Sequence, residues 1–282
     1  MTHQHTPDID FAEHAHHLED SAALWAAVNA RIVDHLPVPP GAVVADVGCG
    51  AGDMTLRLAA RGARVLAVDR EQVLLDLVSR RAEHAGVADT VRTVRADLAD
   101  LPGALPEPVH LAWAGHVVHH AGDQVAALTA LAGALLPGGT LAVAEGGLTP
   151  RCLPWDVGVG APGIEARLDV ANERWFASMR ESLPGWVRDP GGWPRMLRAA
   201  GLMDVTATGW LLHRPAPLSG ADRNILLPGL VSKVERARPW LEPDDAASWA
   251  RLLDEADPAW LGHRDDLDLV AVEMVHTGRR PD

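Results

Sequence analysis

Tyrosine is absent, and of the 25 Lys and Arg residues only Lys233 is a lysine. Abundant Ala, Arg, Gly and Pro look like a GC-rich coding bias and carry little functional information. Only Cys49 and Cys152 bear thiols, too few for a disulfide framework, which points to a reducing compartment and a cytoplasmic location. No apolar run reaches the roughly 18 residues that span a bilayer, so no membrane association is expected. The opening MTHQHTPDID lacks the basic and apolar stretches of a secretory signal, and none is expected. Basic residues are outnumbered 25 to 38, for a net charge of -13. Binding a polyanion needs a basic footprint, so nucleic acid is not an expected partner. Internal repeats and low-complexity tracts are also missing. What remains is a 282-residue chain, 48% hydrophobic and 22% charged, which suits one large α/β domain or two small ones.

Residues 20–36 place Ala23, Leu24, Ala27, Val28, Ile32 and Val33 at helical spacing, and Pro37, Pro39, Pro40 and Gly41 end the pattern. Strands are then predicted at 42–47, 64–69, 90–95, 109–114 and 140–145. Helices are expected at about 54–61, along the face of Val73, Leu74, Leu77 and Val78, and at about 124–136. Short apolar strands alternating with amphipathic helices predict a mostly parallel sheet covered on both faces. The rhythm fails after Glu145. Residues 148–190 are rich in Pro, Gly and Trp around a helix at about 164–182. A helix near 194–200 and a strand near 204–213 follow, then a mostly helical segment to about 263, then a final strand at 267–276.

The most informative stretch is Asp46-Val47-Gly48-Cys49-Gly50-Ala51-Gly52-Asp53, where a strand turns into a helix. Open α/β sheets bind ligands at such turns, and alternate glycines let the backbone approach a ligand closely. Asp69 closes the second strand, where a carboxylate can accept hydrogen bonds from a ribose diol. Two cofactor classes use this geometry. A dinucleotide enzyme wants glycine where Asp53 stands, and an acid at a helix start repels a pyrophosphate. Asp46 and Asp53 instead suit a cationic ligand.

The pattern resembles the first motif of class I S-adenosylmethionine (SAM)-dependent methyltransferases. Four more features align with that family in order: Asp69, Ala96-Asp97-Leu98, Trp113-Ala114-Gly115-His116-Val117-Val118-His119-His120, and Leu135-Leu136-Pro137-Gly138-Gly139-Thr140. Together they span residues 40–146. The resemblance implies a Rossmann-like seven-stranded sheet, mostly parallel with its last strand antiparallel, carrying helical cap insertions. It implies SAM as cofactor and S-adenosylhomocysteine as product, held by Asp46, Gly48, Gly50, Gly52 and the backbone of Ala114. Asp69 would take the ribose, Arg70 would flank the adenine, and Ala96, Asp97 and Leu98 would bracket it. Cys49 reads as a small packing residue. The implied division is an N-terminal helical lid (1–40), a SAM-binding core (41–147), a cap insertion (148–190), a core helix and strand (191–213), a second cap (214–263), and a last strand with its tail (264–282).

Eight of the ten tryptophans follow residue 151, which suggests that the caps build a pocket for a flat or apolar small molecule. Trp113, Trp155 and Trp175 are the candidate substrate contacts, although filling the core accounts for most single tryptophans. His116, His119 and Glu145 are the candidate catalytic groups, with imidazole the natural base near neutral pH. Neither His14, His16 and His17 nor His116, His119 and His120 match a common zinc spacing, so no metal is expected. No DNA amino-methyltransferase motif follows the fourth strand. Segments 144–156 and 171–176 resemble actinobacterial small-molecule methyltransferases, some of which methylate Trp-containing cyclodipeptides. The expectation is in-line methyl transfer to a small aromatic or indole-containing metabolite in natural-product tailoring. The alternatives are an NAD-dependent oxidoreductase and a non-catalytic SAM-binding module.

Overall fold

A computed structural model describes residues 11–282; the side chains of residues 11–18 and 21 lie outside that description. His3 and His5 therefore fall outside the described residues, and His14, His16 and His17 outside the described side chains. The first helix, α1, runs Phe11–His35, starting nine residues before the expected 20.

Val43–Val47 forms β1, and all five residues are buried. A run of Val and Ala interrupted only by the buried Asp46, without apolar–polar alternation, is what a parallel strand covered on both faces requires. Around it stand β2 (Arg64–Asp69), β3 (Val91–Arg95), β4 (Val109–Gly115), β5 (Leu135–Arg151), β6 (Met203–Arg214) and β7 (Leu269–Arg279). They form one seven-stranded sheet in the order β3-β2-β1-β4-β5-β7-β6. β1 pairs in parallel with β2 and β4, β2 with β3, and β4 with β5. β7 runs the other way. Gly138 and Gly139 both bond Arg280, whereas Gly147, further along β5, lies against Val272 and Met274, earlier in β7.

The connecting helices are α2 (Asp53–Ala60), α3 (Gln72–His84), α4 (Gln124–Gly133), α5 (Ile164–Glu181), α6 (Trp193–Ala199), α7 (Gly220–Ala237) and α8 (Pro243–Leu253). The chain leaves β1 toward β2 on one side and places β4 on the other. The order therefore reverses between β1 and β4, and a crevice opens outside their carboxyl ends.

By its contacts the chain divides into two units. The first comprises Met1–Glu145, Asp189–Thr208 and Val275–Asp282; the second comprises Gly146–Arg188 and Gly209–Met274. In the first, Leu128 and Leu131 of α4 and Leu197 of α6 pack with Val109, Ala112, Leu141 and Val143. On α3, Leu75 and Val78 pack with Cys49 and Ala67. In the second, Glu165 accepts the backbone N–H groups of Cys152 (2.9 Å) and Leu153 (3.0 Å). Lys233 of α7 bonds Asp169 of α5 at 2.6 Å, and Arg167 grips Asp245 of α8 through two nitrogens.

One expectation needs correction. α4 ends at Gly133, and β5 begins at Leu135 rather than at 140. The Leu-Pro-Gly-Gly stretch is not a free turn but an irregularity inside the strand. Leu135 pairs with Val109, the register shifts before Leu111 meets Thr140, and Gly138 and Gly139 share Arg280. Pro137 lacks an N–H and is tolerated in a sheet at such a bulge.

Candidate functional site

The glycine loop lies at the carboxyl end of β1. Gly48, Gly50 and Gly52 have φ of +67°, +52° and +83°, the left-handed region that glycine alone enters without strain. A Cβ on Gly48 would sit 2.2 Å from Cγ2 of Val117. The loop after β4 thus presses directly on the glycine loop, and any side chain at 48 would push the two apart. Asp69 ties the turn together. Its Oδ2 accepts the Gly50 N–H at 3.1 Å and its Oδ1 accepts the Glu71 N–H at 3.0 Å. A carboxylate offers about four acceptor sites, so each oxygen keeps capacity for a further donor.

The crevice is electrically negative. Asp46 is 2% exposed and accepts the Thr55 hydroxyl at 2.5 Å. Burial drives its pKa up to about 7; the Thr55 hydrogen bonds oppose the rise, and the charges of Asp69 and Asp53 add to it. Asp53 opens α2 and is held by Asn29 (2.9 Å) and Arg57 (2.9 Å). A pyrophosphate on this helix would face that carboxylate instead of bare N–H groups. The donor set therefore fits a phosphate-free, positively charged ligand bearing a sugar diol. Burial pushes the Cys49 thiol up, aided by Asp46 and Asp69. It stays protonated at neutral pH and packs as a small apolar group.

The other predicted cofactor residues line the same edge of the sheet. Ala114 stands beside Val47 in the β1–β4 ladder. Ala96 is buried, and its N–H bonds the Asp69 carbonyl at 3.1 Å. Asp97 caps the short turn Leu98–Asp100, accepting the Ala99 N–H. Arg70 is exposed and faces Glu71 at 3.2 Å.

Past β4 the chain turns at His116, whose φ of +56° is unusual for a non-glycine residue. Its N–H bonds the Ala144 carbonyl. His119 and Glu145 meet: Nδ1 lies 2.8 Å from Oε2, while Oε1 accepts the His119 backbone N–H at 3.2 Å. Glu145 is 2% exposed. Burial alone would raise its pKa, but the hydrogen bonds and charge of His119 and the charge of His116 outweigh that and hold it below the ordinary value. The His116 and His119 rings are 6.4 Å apart, and those of His119 and His120 4.2 Å. Behind Glu145, His276 Nε2 lies 3.2 Å from its carbonyl oxygen. Among the described residues no cluster of three His, Cys, Asp or Glu side chains is placed to hold a metal ion.

The structure separates the three tryptophan candidates. Trp113 lies inside β4, as the predicted strand over 109–114 places it, and is 4% exposed. Trp155 is 77% exposed. Trp175 lies under the Arg236 guanidinium, 5.0 Å from its ring centroid. Sequence reasoning missed Thr55 and Asn29, which hold Asp46 and Asp53. A hydroxyl nine residues after the motif acid, one turn into the following helix, was the available signal for Thr55. It also missed Trp249, fully buried, which lines a cavity of about 290 Å³ in the second unit with Val231, Val234, Leu241 and Leu253.

Residues 44–139 match the family described as "Methyltransferase domain". The chain is 25% identical over 199 residues to a ubiquinone biosynthesis O-methyltransferase of Hahella chejuensis, covering 67% of this chain and 82% of that protein. It is 30% identical over 148 residues to the 27-O-demethylrifamycin SV methyltransferase of Amycolatopsis mediterranei, covering 50% of this chain and 54% of that protein. The chain thus spans about half the length of that relative. Among solved structures, the Bacillus subtilis YcgJ protein superposes with a TM-score of 0.53 at 16% identity, covering 91% of this chain and 99% of that one. Phosphoethanolamine N-methyltransferase 2 of Haemonchus contortus, in complex with S-adenosyl-L-methionine, gives 0.51 at 16% identity, covering 92% and 53%.

Proposed function

We propose that this SAM-dependent methyltransferase methylates a small aromatic metabolite. SAM is the cofactor and supplies, when bound, a methyl group on a positively charged sulfur. Asp46, Gly48, Gly50, Gly52 and Ala114 are assigned to its amino-acid end, Asp69 to the ribose, and Arg70, Ala96, Asp97 and Leu98 to the adenine. The observation that carries this assignment is the negative, phosphate-hostile glycine loop with spare acceptor capacity on Asp69.

Acceptor recognition is assigned to the second unit. Seven of the nine exposed large apolar side chains among the described residues fall there: Leu148, Trp155, Val170, Trp186, Val187, Leu211 and Val270. A solvent-facing tryptophan does not fill a core, so Trp155 supports a flat apolar acceptor. An indole-containing molecule, such as a Trp-containing cyclodipeptide, is the specific form proposed. The two relatives named above are an O-methyltransferase and a methyltransferase of a demethylrifamycin, which also favours a natural-product acceptor. Positioning the acceptor and excluding water carry most of such a displacement. The test is transfer from methyl-labelled SAM to a panel of aromatic metabolites. Trp155→Ala should raise KM roughly tenfold, the loss of about 1.4 kcal/mol of contact. An unchanged KM for every acceptor overturns the assignment of Trp155.

A further inference from the structure

We propose that the cavity lined by α7 and α8 binds a small, flat, uncharged molecule that carries a carbonyl oxygen. None of its lining residues is among those assigned above to SAM or to the acceptor. The inference stands on the second unit alone and does not depend on the methyltransferase reading.

The cavity follows from the sequence of the two helices. Val231, Val234, Glu235 and Arg238 recur at i, i+3, i+4 and i+7, and so do Ala246, Trp249, Ala250 and Leu253. Each set is one helical stripe, and both stripes line the same space of about 290 Å³. On α8 the stripe sets two alanines, one turn apart, on either side of Trp249 in sequence. Their methyl groups fill little of a gap that longer side chains would close. Packed proteins leave few voids larger than a water molecule. An apolar space of this kind takes up small apolar molecules, and its volume lies at the lower end of ligand pockets, near about 300 Å³.

Two observations select the chemistry of the occupant. Trp249 is fully buried, and its Nε1–H has no hydrogen-bond acceptor. Buried polar groups are nearly always paired, and an indole nitrogen only donates. The missing partner is therefore an acceptor, such as a carbonyl oxygen, on a molecule held in the cavity that the indole lines. The second observation is the charge of the walls. Val231, Val234, Leu241 and Leu253 enclose an apolar body, whereas Glu235, Arg238 and Asp254 are exposed and bring both signs to the rim. An ion of either sign meets a like charge there, and an uncharged molecule meets none.

Coumarin is the probe, a flat bicyclic lactone, and naphthalene is its counterpart of similar shape without an acceptor. NMR of the full chain, labelled at Val and Leu methyl groups and at nitrogen, reads both. Coumarin should shift the methyl signals of Val231, Val234, Leu241 and Leu253 and move the Trp249 indole N–H signal downfield. Naphthalene should shift the methyl signals and leave the indole signal without that downfield move. Trp249→Phe keeps an aromatic ring and removes the donor; it should weaken coumarin about tenfold, the effect of one lost hydrogen bond, and leave naphthalene unchanged. Ala250→Leu retains the donor and fills the space from an exposed helix position; it should abolish binding of both. Coumarin that moves no cavity signal overturns the proposal. Equal weakening of both probes by Trp249→Phe, or methyl shifts that persist in Ala250→Leu, would contradict it as well.

Discussion

Asp46 is a carboxylate buried in the site. Its proton is held more tightly in the folded chain, with a pKa near 7, than in the unfolded chain, where carboxylates titrate near 4. The stability linked to that proton is fully present below about pH 4 and drains away as pH rises to about 7, at roughly 1.4 kcal/mol per pH unit at most. Asp46→Asn keeps an acceptor for Thr55 and removes the ionisation. Urea unfolding from pH 4 to pH 8 should show the variant gaining on the parent through that window and levelling above it. A constant difference between the two would contradict the burial argument. Glu145 has the opposite sign. Its folded-state pKa is depressed, so its contribution is present above the ordinary carboxylate range and is lost in acid.

At the scale of elements, much of the first unit was legible. β1 and β2 read directly from short, mostly apolar runs, and the glycine loop from its spacing, because a parallel strand and a close-approach turn leave local signatures. β5 was read too short. Its Pro-Gly-Gly looks like a turn locally, and only pairing with Val109 on one side and Arg280 on the other makes it strand. The His119–Glu145 pair was legible as residue types but not as a pair, since 26 residues separate them and only the β4–β5 alignment joins them. In the second unit, Glu165 supplies acceptors for two backbone N–H groups at the start of an irregular segment. Glu165→Ala leaves both donors unmatched, at a cost of about 1–3 kcal/mol each. Its thermal midpoint should fall, and hydrogen exchange at residues 152 and 153 should quicken. Parental exchange there would show that the carboxylate is dispensable.

The whole molecule combines one seven-stranded sheet with two units that carry different surfaces. The first unit holds the acidic glycine loop and the imidazole–carboxylate pair; the second displays most of the exposed apolar side chains. The proposed division of labour is a cofactor chemistry fixed by the fold and an acceptor preference set by inserted segments, since function lives in sites grafted on folds. No helix among the described residues is long and apolar enough to cross a membrane, and the net charge of -13 sets a field that repels polyanions and favours cations.

The measurement that bears most directly on this account is isothermal titration of S-adenosylhomocysteine into the parent protein and into Asp69→Ala, with NAD titrated in parallel. The parent should bind the thioether nucleoside at one site, the variant at least about tenfold more weakly, as expected for the loss of charge-assisted hydrogen bonds, and NAD should give no heat of binding. Equal affinity in both proteins, or saturable binding of NAD in the parent, would contradict it.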